Sequence, residues 1–166
     1  MMKIKLSDVN NASGGKYKFA FVMPAGEFDF PTDNYRIDGT IKVNGTIENT
    51  GAGYHVEGSI NCHRCFICDR CLENAAEDQL HTFDEVYETE DSTVQDADAV
   101  GSDSIDIADL VRDIIIAGQP ISNICKPDCK GLCPKCGINL NKSECDCDRT
   151  VIDVRLAVLK NLLKKN

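Results

Sequence analysis

The sequence lacks tryptophan altogether, and aromatic residues make up only 6% of its 166 positions. No interleaved arginine–aromatic motif is present, so the stacking groups on which single-stranded RNA recognition relies are scarce. No run approaches the roughly 20 apolar residues that a membrane-spanning helix needs, which argues against an integral membrane protein of that kind. The opening Met1-Met2-Lys3-Ile4-Lys5-Leu6-Ser7-Asp8 has no apolar signal core, so export is not expected and a cytoplasmic protein is. Positive charge is also short. Lys and Arg total 18 against 27 Asp and Glu, for a net charge of −9, and a phosphate backbone would repel such a chain as a whole. Catalytic signatures are missing too: there is no glycine-rich phosphate loop, no Ser-x-Gly nucleophile elbow, and no histidine beside a candidate nucleophile outside one cysteine cluster. These absences predict a non-enzyme with no small-molecule substrate.

What the chain has in excess is cysteine, ten residues in two tight clusters, Cys62 to Cys71 and Cys125 to Cys147. In a reducing compartment thiols stay free unless a metal takes them, and a chain of this length folds without disulfide staples. Two- and three-residue spacings suit chelation better than they suit scattered buried thiols. Charge is unevenly divided as well. Residues 84–113 carry only Arg112 against eleven acidic side chains, net −10, whereas residues 114–166 are net +4.

The first half reads as β-structure. Tyr17, Phe19 and Phe21 alternate with polar or small neighbours, and Arg36 to Glu48 alternates through Ile37, Ile41, Val43 and Ile47. Asn49-Thr50-Gly51-Ala52-Gly53 is a turn, Tyr54 to Ile60 resumes the alternation, and Leu80 to Tyr87 is a return strand. Thr89 to Ser104 is acidic and aperiodic, the pattern of a loop. Asp106 can cap a helix in which Ile107, Leu110, Val111, Ile114 and Ile115 recur at helical spacing until Gly118 and Pro120. A last helix is predicted from Asp153, with Leu156, Leu159 and Leu163 on one face and Lys160, Lys164 and Lys165 near its C-terminus.

The second cluster carries six thiols, Cys125, Cys129, Cys133, Cys136, Cys145 and Cys147. Cys133-Pro134-Lys135-Cys136-Gly137 has the form of a zinc knuckle: two intervening residues let both sulfurs reach one ion, and the glycine permits the turn around it. A knuckle supplies two ligands. Either Cys145 with Cys147 or Cys125 with Cys129 can complete the tetrahedron, so which four of the six bind one structural Zn²⁺ stays open. A closed all-sulfur shell leaves no position for substrate, which makes the site structural. Lys126, Lys130, Lys135 and Lys142 are available to offset its charge. In the first cluster a Cys-x-Arg-Cys unit occurs twice, placing Cys62, Cys65, Cys68 and Cys71 at spacings near a ferredoxin run but without its final x₃ and proline. That run leaves three readings: a second zinc, an iron–sulfur or thiol redox centre, or free thiols at a hairpin end.

Cys68-Asp69-Arg70-Cys71-Leu72-Glu73, the acidic stretch after it, and Ile105 to Asp113 together resemble the YceD family of bacterial and plastid proteins. So do Cys129 to Asn141 with Cys145-Asp146-Cys147, and Asp153 to Leu159 matches the family's C-terminal helix, with Val154 where a proline is usual. The resemblance covers about residues 55–163 and implies a role in accumulation of large-subunit ribosomal RNA: synthesis, processing or stability of its precursor. Cys62 and Cys65 depart from the family's single motif. The implied partner is that RNA precursor, met by the basic C-terminal third, or a basic ribosomal protein or assembly factor drawn by the acidic stretch.

The expected fold is α+β. An antiparallel β-meander or open barrel occupies residues 1–88 and an acidic loop residues 89–104. Residues 105–166 hold a helix, a small cysteine-rich zinc module and a C-terminal helix packed on the same domain.

Overall fold

The computed structural model describes residues 2–12, 15–30, 34–88 and 103–148. Its elements are β1 (Lys3–Lys5), α1 (Leu6–Asn11), β2 (Lys16–Pro24), a 3₁₀ turn (Ala25–Glu27), β3 (Tyr35–Asn49), β4 (Gly53–Ile67), β5 (Asn74–Glu88), β6 (Ser104–Asp106) and α2 (Ala108–Ala117). The chain forms two compact units, Met1–Ile67 with Asn74–Asn123 and Cys68–Glu73 with the chain from Ile124 onward. The division expected at residues 88 and 105 therefore moves. Both β6 and α2 belong with the sheet, and the cysteine-rich unit takes in six residues that the sequence places between β4 and β5. Most of the expected acidic loop and the whole C-terminal helix lie outside the described residues.

In the first unit, strands β2-β3-β4-β5 form an antiparallel meander in sequence order, and β1 pairs with β6 in a separate two-stranded sheet. The α+β class holds. The expected antiparallel meander is found, and it is open: β2 and β5 remain at opposite ends of the strand order. Alternation puts one face of the sheet in the core: Ile37, Ile41, Val43 and Ile47 from β3, and Tyr54, Val56 and Ile60 from β4, are buried. Leu6 and Val9 of α1, Val111 and Ile115 of α2, and Ile4 and Ile105 of the small sheet belong to the same cluster. Each such side chain stabilises the fold by about 1.5–3 kcal/mol through burial.

A bulge could have flipped this pattern. Asp38 faces His63 but Lys42 faces Asn61, so β3 gains two residues on β4 at this point. Two extra residues preserve the odd–even alternation, and Ile37 and Ile41 stay on the core face across the irregularity.

A row of four residues crosses the sheet at its middle: Phe19 faces Gly45, Gly45 faces Gly58, and Gly58 faces Phe83. A β-carbon on Gly45 would lie 2.6 Å from the Phe19 ring, and one on Gly58 would lie 2.7 Å from that of Phe83. The glycines are the space in which the two buried rings lie.

Helix α2 starts at Ala108, two residues later than the sequence predicts, although the Asp106 carboxylate accepts the Ala108 amide at 3.1 Å and so takes up one of the first-turn N–H groups. Arg64, from the first Cys-x-Arg-Cys unit, is 1% exposed. Its guanidinium lies 4.4 Å above the Phe66 ring centre and 5.2 Å from that of Tyr35, and donates to the Glu77 carboxylate at 3.0 Å and to the Asn123 side-chain oxygen. Its two terminal nitrogens are thus paired, while the buried Nε has no hydrogen-bond partner among the described residues, and the aromatic rings supply cation–π contact.

Two predictions follow from these contacts. Gly45→Ala and Gly58→Ala are each expected to lower unfolding stability by about 1–3 kcal/mol through overpacking, read as a lower urea midpoint at unchanged slope. The histidines should also titrate apart. A 2.6 Å hydrogen bond to Asp84 raises the pKa of His55, whereas burial lowers that of His81. The His55 contribution to stability is complete below its unfolded pKa of about 6.5 and is lost as pH rises through its raised folded value. Imidazole proton NMR is expected to give His55 the higher midpoint, and Asp84→Asn is expected to bring it down.

Candidate metal centres

Where the second unit is described, through residue 148, sulfur occupies the place of a core. Among its described residues, buried Cys68, Cys71 and Cys129 form the cluster against which Ile124 packs. Two short turns of the same build organise it. The Cys68 amide donates to the Glu73 carbonyl at 2.9 Å and the Leu72 amide to the Cys68 carbonyl at 2.8 Å. The Cys133 amide donates to Ile138 at 2.8 Å and the Gly137 amide to Cys133 at 2.9 Å, which is the same pattern at the same offsets. The left-handed position is Leu72 in the first turn (φ +57°) and Gly137 in the second (φ +74°). A leucine there carries about 1–2 kcal/mol of backbone strain that glycine avoids. Both segments are thus cysteine knuckles, and only the second advertises itself with a glycine.

Each knuckle gathers a second pair. Cys68, Cys71, Cys125 and Cys129 form one quartet, and Cys133, Cys136, Cys145 and Cys147 the other, with all sulfurs of a quartet within 4.8 Å of one another. Measured separations in the first are 3.9 Å for Cys68 to Cys129 and 3.8 Å for Cys71 to Cys125. Four sulfurs about 2.3 Å from a common ion sit at tetrahedron edges of about 3.8 Å, whereas a disulfide needs about 2.05 Å. All ten cysteines are free thiols. The donor set and its spacing therefore fit a tetrahedral metal ion in each quartet.

Backbone amides prepare these sulfurs for charge. The Cys125 amide donates to Cys68 Sγ and the Asn141 side-chain amide to Cys129 Sγ, each at 3.4 Å. Burial works to raise the pKa of Cys68, but the amides of Cys125, Cys71 and Arg70 outweigh it and bring the thiol down to about 6. The amides of Cys136 and Lys135 do the same for Cys133, also to about 6. Other members go the opposite way. Burial and the neighbouring thiols push Cys125 up to about 12, and Cys136 and burial do so for Cys147. Thiolates packed this closely repel one another, and a bound dication is what allows all four to ionise. A dication held by all four sulfurs would have a closed tetrahedral shell, with no open position of its own.

The six thiols grouped around one centre in the sequence divide between two quartets. Cys133, Cys136, Cys145 and Cys147 come together as one of the expected alternatives, but Cys125 and Cys129 turn to Cys68 and Cys71. Sequence proximity grouped all six, whereas each pair needs any partner pair that the fold brings near. Cys62 and Cys65 join neither quartet. They lie three residues apart on β4, so strand alternation sends them to opposite faces, and the ferredoxin-like run does not converge. Cys62 is buried in the sheet's core cluster, which pushes its thiol up to about 11. Of the basic residues, Lys142 pairs with Glu73 at 2.7 Å and Lys126 with Asp128 at 3.9 Å, while Arg70 donates to the Cys129 carbonyl at 3.1 Å. Of the first run, for which a second zinc is one of three readings, only Cys68 and Cys71 join a quartet; they share the two-residue spacing of Cys133 and Cys136.

An open antiparallel sheet and a unit that carries two all-cysteine quartets able to hold metal ions define a knuckle-containing class of protein. The chain belongs to the YceD family: the family model described as large ribosomal RNA subunit accumulation protein YceD matches residues 56–163. It is similar to the large ribosomal RNA subunit accumulation protein YCED homolog 1, chloroplastic, of Arabidopsis thaliana, with 47% identity over 58 residues, 35% of this chain and 18% of that protein. The Zea mays protein of the same description is 48% identical over 44 residues, 26% of this chain and 15% of that one. An uncharacterized Mycobacterium tuberculosis protein is 31% identical over 123 residues, 70% of this chain and 59% of its own length. The chain thus spans 59% of the mycobacterial relative and under a fifth of each plant relative, less than two thirds in every case. No solved structure matches it.

The quartets generate a direct expectation. Metal analysis of the purified chain should find two divalent ions per molecule, falling to about one in Cys68→Ser or Cys133→Ser and staying at about two in Cys65→Ser, since binding at such a site is folding energy for its segment.

Proposed function

We propose that this protein is a non-catalytic factor in the accumulation of large-subunit ribosomal RNA, acting in the cytoplasm as an adaptor, with one structural Zn²⁺ in each cysteine quartet. Membership of the YceD family over residues 56–163 is the observation that carries the reading. The chloroplastic relatives are named for accumulation of that RNA subunit. Zinc suits the quartets because it favours tetrahedral all-thiolate shells and brings no redox chemistry of its own; when bound it supplies cross-links, not a reaction centre. In that arrangement the chain's own residues do the rest: amides neutralise part of the sulfur charge, and the two knuckles set the loop geometry.

Charge favours a protein partner over direct RNA contact. The chain is net −9 and its most acidic stretch, residues 84–113, is net −10, a field that repels phosphate and attracts a basic ribosomal protein or assembly factor. The family's implied role then proceeds through that partner.

Depletion from cells is expected to lower mature large-subunit RNA while small-subunit RNA stays close to normal. Purified protein should bind unrelated RNA weakly and turn over none, and neutralising Asp96, Asp98 and Asp103 should strengthen that weak binding while weakening capture of a basic partner. Tight, salt-insensitive binding to unrelated RNA, or a coloured iron chromophore in the pure protein, would overturn the reading.

A further inference from the structure

Strand β5 pairs with β4 over fifteen consecutive residues, Asn74 with Ile67 through Glu88 with Gly53, without a single register shift. It ends the strand order, and among the described residues no backbone group outside β4 hydrogen-bonds to it between Asn74 and Val86. An edge so long and regular is a template for another strand, and folded proteins usually blunt such edges with lysine, proline or a bulge. The opposite edge does this. Strand β2 is nine residues long, carries Lys16 and Lys18, and stops at Pro24. Strand β5 has no proline, no glycine, no lysine and no arginine.

Two further features say what would pair there. On the face of β5 opposite buried Phe83, Leu80 is 64% exposed and Val86 62% exposed, which leaves apolar contacts for side chains of an added strand. The acidic side chains of β5 are Glu77, Asp78, Asp84, Glu85 and Glu88, against no Lys or Arg on the strand; Glu77, Asp78 and Asp84 also meet Arg64, His63 and His55 of β4. A second copy of this chain would set those carboxylates against their own kind, so self-pairing is disfavoured, whereas an extended basic segment finds both backbone partners and opposite charge. We infer that the free edge of β5 is a docking site for an extended, lysine- or arginine-rich peptide segment of a partner protein, which adds as a fifth strand to the sheet. The inference rests on the adaptor reading above and supplies the surface on which that adaptor acts.

The test uses the full zinc-loaded chain and a twelve-residue capped peptide alternating lysine and valine. A peptide of like charge in which proline replaces the valines serves as the control for charge alone, since it cannot complete a ladder. The alternating peptide is expected to bind, to slow amide hydrogen exchange within residues 74–86, and to bind about tenfold more weakly to Leu80→Lys and Val86→Lys, which place like charge at the edge. Val22→Lys, at a 63% exposed position of β2, is expected to leave affinity unchanged. Equal binding of both peptides, equal binding by the β5 and β2 variants, or concentration-dependent protection of β5 with no peptide present would each overturn the proposal. The adaptor reading fails separately, if depletion leaves large-subunit RNA at its normal level whatever the peptide does at β5.

Discussion

Four sulfur atoms set the constraint on which the second unit depends. Cys71 and Cys125 are 54 residues apart in sequence yet lie 3.8 Å apart in space, at the edge length of a thiolate tetrahedron. Among the described residues of that unit the buried cluster is Cys68, Cys71 and Cys129, and the quartets stand in for a core there. Their geometry also dictates chain path. Residues 68–73 must leave the strand alternation that precedes and follows them, and Leu72 accepts a left-handed backbone so that Cys71 and Cys68 can face the same point.

The first unit obeys a different physics. Its stability comes from ordinary burial on one face of an open sheet, with the two glycines at 45 and 58 making room for Phe19 and Phe83. Arg64 and Arg70 illustrate the contrast, since they occupy equivalent places in the repeated Cys-x-Arg-Cys unit. Arg64 lies on a strand and is buried among aromatic rings, Glu77 and Asn123; Arg70 lies in a knuckle and donates to the Cys129 carbonyl. The same local sequence is read by two environments, one set by alternation and the other by sulfur.

Much of this was legible in the sequence. Alternation marked β2, β3, β4 and the second half of β5, and helical spacing marked α2, because those segments are long enough for a period to register. The three-residue strands β1 and β6 and the short helix α1 span too little chain for that. The cysteine pairs were legible as pairs, since a spacing of one to three residues is a local property. How pairs combine is not local: Cys125 and Cys129 sit eight and four residues from Cys133 in the chain but belong with Cys68 and Cys71. The unit boundary escaped for the same reason, because a six-residue insertion between two strands changes allegiance only through its long-range partners.

Cadmium-113 substitution with two-dimensional cadmium–proton correlation reads this partition directly, since each metal resonance couples to the β-protons of its own ligands. Two resonances are predicted, one correlated with Cys68, Cys71, Cys125 and Cys129 and the other with Cys133, Cys136, Cys145 and Cys147. A single resonance with all its ligands between Cys125 and Cys147, or any correlation to Cys62 or Cys65, would contradict the account.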